Sequence, residues 1–328
     1  MRCVPLIVAL VACGKSQPAP SSKEPPAPAP PVAPAAPAAP TMVEPPAPSA
    51  KAVVAMATEC EKLSFAESTP VPEASGAGWM EIDGALALVV VSDSGNDGAY
   101  GIVDPDSGAT REEGKLPLGK AGADIEGVAA KDSLLYGVTS SGWMRVWKRV
   151  AKGFELAQDA YPLGPVDLPD KKSKLSAPDG DGMVCGAKVA NCGRDYEGLC
   201  LANKPPAGEH ACVGFVASRA DGHLYCLEQS GDKLRVIHDK SIEIGRSGTL
   251  ADCAFSDDDR LLVGANLFGT DEVVVVDGWA DPASAKVREL APIGVGFPEV
   301  IAARGDLVWR MSDTGGAPSL MARYRCPK

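Results

Sequence analysis

The sequence predicts an all-β fold on three observations: a recurring phrase, many short apolar runs bounded by turn residues, and no long amphipathic helical stretch. Each copy of this sequence repeat contains an apolar run, a pair of small or acidic residues, a glycine turn and a strand of alternating polarity. The five copies begin at Leu86, Leu134, Cys212, Leu261 and Leu307. We align them on Ser92, Ser140, Ser218, Asn266 and Ser312, which are 48, 78, 48 and 46 residues apart. A period of this length suits one four-stranded blade, so the pattern predicts a single β-propeller.

The sequence leaves two blade counts open: six, which we prefer, and five. The 78-residue interval exceeds one period and falls short of two. Its excess, Tyr161 to Gly193, is rich in Pro, Asp, Lys and Gly and is either a compact blade or a decorated loop. We expect the ring to close by pairing an N-terminal strand with the C-terminal blade, because closure removes exposed sheet edges.

Residues 1–12 are predicted to be a signal peptide. The apolar stretch from Val4 to Val11 is too short for a membrane-spanning helix, which needs roughly 20 residues. The run Leu10-Val11-Ala12-Cys13 resembles the lipobox of bacterial lipoproteins. The resemblance implies that Cys13 is acylated and becomes the mature N-terminus, so we expect a bacterial envelope protein that is lipid-anchored to a membrane, with its propeller exported from the cytoplasm.

Residues 13–51 are predicted to be a disordered stalk that begins at the lipidated Cys13. From Ser16 to Ala50 the chain is mostly Pro, Ala and Ser with a few charged residues, a composition that cannot form a hydrophobic core and favours extended polyproline II. At roughly 3.1 Å per residue this segment reaches on the order of 100 Å. The alternative is a docking segment for a polyproline-binding domain. Residues 52–328 are then the propeller domain.

The cysteines predict disulfides. Of the ten, Cys3 leaves with the signal peptide and Cys13 carries lipid. The remaining eight are an even number in an exported chain. By proximity we expect the pairs Cys60–Cys326, which would staple the ring closure, Cys185–Cys192, Cys200–Cys212 and Cys226–Cys253. Zinc is not expected, because no pair has Cys-x-x-Cys spacing and the chain has only three histidines.

Acidic residues stand at the starts of several predicted inner strands and at the ends of second strands. We expect them to converge at one mouth of the central channel: Asp93, Asp124, Glu126, Asp195, Glu197, Asp252, Glu299 and Asp313. Close carboxylates repel one another unless a cation neutralises them, and oxygen ligands suit calcium, so Glu126, Glu197 and Glu299 are the candidate calcium ligands. We prefer the interpretation in which these acids cap strand ends and accept hydrogen bonds from loop amides or from Arg194, Arg246, Arg304 and Arg310. A catalytic role is a further alternative.

Three short motifs resemble the strand signatures of phytase-like and esterase-like β-propellers and of SdiA-regulated surface proteins. They are Asp-Ile-Glu-Gly at Asp124, Asp-Tyr-Glu-Gly at Asp195 and Ser-Asp-Ser-Gly at Ser92. The resemblance spans most of the region from Trp79 to Cys326. It implies a propeller fold and, in the phytase-like case, calcium-dependent phosphoester hydrolysis.

Charge and motif content exclude several functions. A formal net charge of −11 without a basic stripe disfavours nucleic-acid binding. The segments that begin at Gly264 and Gly294 lie within predicted strands that no helix follows, so no nucleotide cofactor is expected. The sequence also has no serine-hydrolase motif. We therefore expect a monomeric lipoprotein whose propeller is a non-catalytic binding or scaffold module for an envelope protein, glycan or small molecule. The alternative is a calcium-dependent hydrolase of phosphoesters, esters or lactones that acts at the channel.

Overall fold

The computed structural model describes residues 60–93, 95–119, 124–163, 195–208, 210–245, 248–267 and 270–327. These residues form 22 β-strands and no α-helix, so this part of the chain contains no helix that could cross a membrane. The expectations for the signal peptide, Cys13, the stalk, the Cys185–Cys192 pair, Arg194 and Arg246 lie outside the described residues.

The strands form five antiparallel sheets, which are the blades. Two short strands come first, β1 (Glu61–Leu63) and β2 (Ser68–Pro72). Blade 1 is β3 (Ala74–Ile82), β4 (Ala85–Ser92), β5 (Ala99–Val103) and β6 (Thr110–Lys115). Blade 2 is β7 (Gly127–Lys131), β8 (Leu134–Val138), β9 (Trp143–Arg149), β10 (Phe154–Leu156) and β11 (Tyr161–Pro162). Blade 3 is β12 (Tyr196–Leu201), β13 (Gly214–Ser218), β14 (His223–Ser230) and β15 (Lys233–Glu243).

Blade 4 is β16 (Leu250–Phe255), β17 (Leu261–Leu267), β18 (Thr270–Asp277) and β19 (Lys286–Pro292). Blade 5 is β20 (Phe297–Arg304), β21 (Leu307–Asp313) and β22 (Pro318–Arg325), completed by β1 and β2. The first strand of each blade contacts the first strand of the next, in the closed order β3, β7, β12, β16, β20 and back to β3. Because β7 contacts β12 directly, no further inner strand fits between them. The ring has five blades, and our preference for six was wrong.

The hydrophobic core lies between the blades. Five clusters of buried side chains each combine residues from two neighbouring blades. In β4, for example, Val89 and Val91 pack towards blade 2, whereas Leu88 and Val90 pack towards blade 5. Both faces of a blade are therefore buried, which explains why inner strands read as continuous apolar runs.

The ring closes as predicted, by pairing an N-terminal strand with the last blade. Strand β1 pairs with β22, with Glu61 opposite Arg325, and β2 pairs with the start of β22. The Cys60–Cys326 disulfide, across a sequence separation of 266 residues, confirms the predicted staple.

The other two disulfides of the described residues differ from the predicted pairs. Cys200 on β12 bonds Cys253 on β16, and Cys212 bonds Cys226 within blade 3. The predicted pairs Cys200–Cys212 and Cys226–Cys253 were wrong, because nearness along the chain was used in place of nearness across the ring. Since β12 and β16 are adjacent inner strands, the Cα atoms of Cys200 and Cys253 lie only 5.5 Å apart.

Removing the closing disulfide should destabilise the ring more than removing the disulfide inside blade 3. The Cys60→Ser/Cys326→Ser variant frees a loop of 266 residues, whereas Cys212→Ser/Cys226→Ser frees one of 14. Loop entropy gives a loss of about 5–6 kcal/mol for the first and about 3 kcal/mol for the second. Urea unfolding of both variants measures the difference. An equal or smaller loss in the closure variant would contradict this account of the ring.

Candidate functional site

A bulge recurs near the start of the inner strands. The pairing with the second strand shifts register between Ala74 and Gly76, Tyr196 and Gly198, Leu250 and Asp252, and Pro298 and Val300. In blade 2 the N–H of Glu126, directly before β7, donates to the carbonyl of Val138 at 2.9 Å. The residues at this bulge position are Ser75, Glu126, Glu197, Ala251 and Glu299. Because a bulge re-aims its side chain, three of the five blades direct a glutamate to the same end of the channel.

A second ring of equivalent residues lies at the ends of the second strands or directly after them. The N–H groups of Asp93, Arg219 and Asn266 donate to the carbonyls of Glu73, Asp195 and Thr249, while Asp313 lies opposite Phe297. With Ser140 in blade 2, this rim position comprises Asp93, Ser140, Arg219, Asn266 and Asp313, which are 47, 79, 47 and 47 residues apart. Ser92 is therefore equivalent to Thr139 and Ala265, not to Ser140 and Asn266, and the serine alignment was one residue out in blades 2 and 4.

The residue after the bulge sits where adjacent inner strands approach most closely. At Gly127 a Cβ would lie 2.5 Å from the backbone nitrogen of Leu199, so only glycine fits there. In blade 4 this position is Asp252, which is 1% exposed. Its carboxylate accepts hydrogen bonds from the N–H groups of Cys253 at 2.7 Å and Ile301 at 3.1 Å. Our expectation that Asp252 joins the channel acids is corrected: it lies between blades 4 and 5.

Arg219 joins two of the three bulge glutamates. Its Nη2 donates to Glu197 Oε2 at 2.9 Å and to Glu299 Oε1 at 3.0 Å, which links blades 3 and 5. The bulge position between them is Ala251, whose methyl group is too short to take part. Arg219 thus provides a positive charge for this half of the mouth, and the calcium set of Glu126, Glu197 and Glu299 stays a prediction.

The other half of the mouth is an acidic triad formed by Asp93, Asp124 and Glu126. One carboxylate oxygen from each lies within 4.8 Å of the others. Glu126 is 8% exposed, and Asp124 accepts hydrogen bonds from the N–H of Ser140 at 3.0 Å and from its Oγ at 2.5 Å. The triad comes from blades 1 and 2, and it could hold a metal ion. All three were among the acids predicted to converge at the mouth, and Glu126 was also a predicted calcium ligand.

The electrostatics of the mouth reflect burial and like charge. Burial, and then the negative charges of Glu197, Asp124 and Asp93, raise the pKa of Glu126 well above its usual range. Burial raises the pKa of Glu197 to about 9 and that of Glu299 to about 7, although the charge of Arg219 opposes both shifts. A mouth of this kind favours bound protons or a bound cation.

The remaining candidates lie around this mouth or serve the backbone. The carbonyl of Asp195 accepts the N–H of Arg219 at 2.8 Å, and Asp313 Oδ1 accepts the N–H of Gly315 at 2.7 Å. Arg304 forms an ion pair with Asp257 at 4.0 Å, away from the channel acids. Asp313, Asp252 and Asp124 thus accept hydrogen bonds from backbone N–H groups, as the strand-capping interpretation predicts.

Sequence reasoning missed Arg219. It occupies the rim position that carries Asp93 in blade 1 and Asp313 in blade 5, and we had singled out both of those acids. Counting back one period of 47 residues from Asn266 leads to Arg219 in blade 3.

The inner strands enclose a small cavity beyond the bulge. A cavity of about 70 Å³ is lined by inner-strand residues of all five blades, including Ala77, Ala129, Ala254 and Ala302. This space holds only a few water molecules.

Comparison with known proteins shows no matching family model and no matching curated protein. Solved structures with a similar fold include a candidate 6-phosphogluconolactonase from Bacteroides uniformis, with 17% identity, 73% of this chain and 78% of that chain covered, and a TM-score of 0.41. A glutaminyl cyclase from Myxococcus xanthus has 12% identity, coverage of 82% and 98%, and a TM-score of 0.43. The Pan2 WD40 domain of Neurospora crassa has 10% identity, coverage of 79% and 65%, and a TM-score of 0.39. Likenesses this distant assign no activity to this chain.

The stability of the fold should decrease between pH 5 and pH 9. The pKa values of Glu299 and Glu197 in the folded state, about 7 and about 9, lie above the usual 4.5. The folded state therefore binds more protons than the unfolded chain, and the resulting stability is complete below pH 4.5 and is lost as the pH rises through 7 and 9. Urea unfolding should show a fall on the order of a few kcal/mol.

The variants Glu197→Gln and Glu299→Gln should each flatten this pH dependence, because glutamine does not titrate. The matched control is Glu81→Gln, at an exposed glutamate of β3, which should leave the slope unchanged. Stability that is constant or rises from pH 5 to pH 9 in the unmodified protein would rule out the buried protonated carboxyls.

Proposed function

We propose that this protein is an exported, lipid-anchored propeller that binds a divalent cation, calcium first, at its acidic mouth and acts as a binding or scaffold module. The triad of Asp93, Asp124 and Glu126 carries the proposal. Calcium takes oxygen ligands at 2.3–2.6 Å, so two oxygens on opposite sides of one ion are roughly 4.8 Å apart. The spacing of the triad oxygens, within 4.8 Å, fits that requirement.

The distribution of charge around the mouth also favours the half formed by the triad as the cation site. Glu197 and Glu299 already receive a positive charge from Arg219. For Glu126, the charged groups that act on it most strongly are Glu197, Asp124 and Asp93, all of them acidic. A divalent cation beside Glu126 would relieve both the burial of its charge and the repulsion from its neighbours.

The anchoring part of the proposal rests on the N-terminal sequence. Leu10-Val11-Ala12-Cys13 has the spacing of a lipobox, and the Pro- and Ala-rich residues after it are suited to holding a folded domain away from a membrane. A propeller displayed in this way presents its mouth to ligands in the envelope: a protein, a glycan or a small molecule that the bound cation helps to hold.

A calcium-dependent hydrolase is the second candidate, and one observation favours it. The pKa of Glu299, about 7, would allow this carboxyl to exchange a proton at neutral pH, as a general acid or base must. Turnover of a phosphoester, ester or lactone by the calcium-loaded chain, lost in Glu299→Gln, would establish it. Without turnover, the binding function remains.

Calcium should raise the melting temperature of the full chain, because a ligand that binds only the folded state stabilises it, by about 2.7 kcal/mol at a concentration of 100 times Kd. Asp93→Asn/Glu126→Gln, which removes two triad charges with little change in volume, should abolish the response. The control Asp313→Asn alters an acid of the same rim position outside the triad and should retain it. Calorimetry with and without calcium makes the measurement. A melting temperature that ignores calcium, or a full response in the triad variant, would reject the site.

Cys13→Ser should release the protein from the membrane fraction, because without its acyl chains the protein has only a polar stalk and an acidic domain. Fractionation followed by a high-salt wash measures the release. Cys3→Ser is the matched control and should remain membrane-bound, since residue 3 leaves with the signal peptide. Retention of the Cys13→Ser protein on washed membranes would disprove lipid anchoring at this residue.

A further inference from the structure

Two arginines lie completely inside the propeller, Arg145 on β9 and Arg310 on β21. They are 1% and 0% exposed. Burial lowers the pKa of each to about 10, which reflects the unfavourable transfer of a guanidinium out of water. Apolar side chains would fill the same space without that penalty, so the hydrogen bonds that these arginines make explain what they contribute.

Arg145 holds the backbone at the start of the acidic triad. Its Nη1 donates to the carbonyl of Asp124 at 3.1 Å and its Nε donates to the carbonyl of Leu118 at 2.9 Å. The carboxylate of Asp124 is held separately by the N–H and Oγ of Ser140. Residue 124 is thus fixed at both its main chain and its side chain, and Glu126 follows two residues later.

We infer that Arg145 is a positioning residue for the cation site. It donates a hydrogen bond to the carbonyl of Asp124 and thereby fixes where Asp124 and Glu126 place their carboxylates. The inference rests on the proposed function. Arg145 does not touch the cation. It acts through the main chain, as the outer partners of metal ligands do when they fix the orientation of those ligands.

Arg310 is a matched control within the same chain. Its Nη1 donates to the carbonyl of Val300 at 3.0 Å and its Nη2 to the carbonyl of Pro298 at 3.3 Å, on the two sides of Glu299. Position 264 must be glycine to make room for it, because a Cβ there would overlap Arg310 Nη1. Arg310 therefore holds the backbone at the bulge of blade 5 by hydrogen bonds, as Arg145 does at the start of blade 2. Glu299, however, belongs to the half of the mouth in which Arg219 supplies a positive charge.

The test compares calcium affinity and melting temperature in the full chain. Arg145→Met and Arg310→Met each keep an unbranched side chain but leave the buried carbonyls that the guanidinium bonds without a donor, so both should lower the melting temperature. Titration calorimetry with calcium alone should show an affinity about 10–100-fold weaker for Arg145→Met, the range found for outer partners of metal ligands. Arg310→Met should bind calcium as the unmodified protein does. Arg145→Lys, which keeps the charge and one donor group, should recover part of the lost affinity.

The outcomes separate this inference from the proposed function. If the unmodified protein does not bind calcium, the proposed function fails and the inference fails with it. If it binds calcium and Arg145→Met binds equally well, only the inference is overturned. Equal weakening by Arg145→Met and Arg310→Met would also overturn it, because a general loosening of the ring would then suffice. If Arg145→Met does not fold, Arg145→Lys decides: weakened binding supports the inference and unchanged binding rejects it.

Discussion

The close approach of five inner strands around one axis is the constraint on which the rest of the structure depends. A ring this small brings neighbouring backbones together just after the bulge, where Gly127 meets Leu199 with no room for a Cβ. Where blade 4 carries Asp252 in place of glycine, the carboxylate satisfies N–H groups of its own blade and of blade 5. The ring is closed by the pairing of β1 with β22, and the Cys60–Cys326 disulfide links the two ends of the chain at this closure.

The bulge that precedes this contact gives the propeller its acidic mouth. It turns Glu126, Glu197 and Glu299 towards one end of the channel, where ring geometry holds them too close to be charged independently. The chain relieves part of this repulsion itself, because Arg219 bridges Glu197 and Glu299. Around Glu126 the strongest charge effects come from other acids, and that asymmetry is the physical basis of the proposed cation site on one side of the mouth.

Much of the fold was readable from the sequence because the repeat period is a direct consequence of blade architecture. The strand content, the ring closure and the Cys60–Cys326 staple all followed from it. The blade count did not, since the 78-residue interval has no feature that distinguishes a blade from an insertion. The two remaining disulfides depend on which strands are neighbours across the ring, and spacing along the chain does not contain that information.

The site was predicted in outline, and the structure differs from that prediction at Asp252 and at Arg219 for a related reason. Asp252 aligns by eye with Glu197 and Glu299, but the pairing register places it one residue later, where the side chain points between blades. Arg219 is a base at a repeat position that carries acids in Asp93 and Asp313, so a pattern of converging carboxylates does not reveal it. A residue's role here depends on its register relative to the bulge more than on its type.

The most direct test of this account is a crystal structure of the protein grown with calcium, with anomalous scattering recorded near the metal. The account predicts one peak at the mouth, within about 2.3–2.6 Å of oxygens from Asp93, Asp124 and Glu126, with Arg219 still bridging Glu197 and Glu299. A mouth with no peak, or a peak between Glu197 and Glu299 with Arg219 displaced, would contradict it.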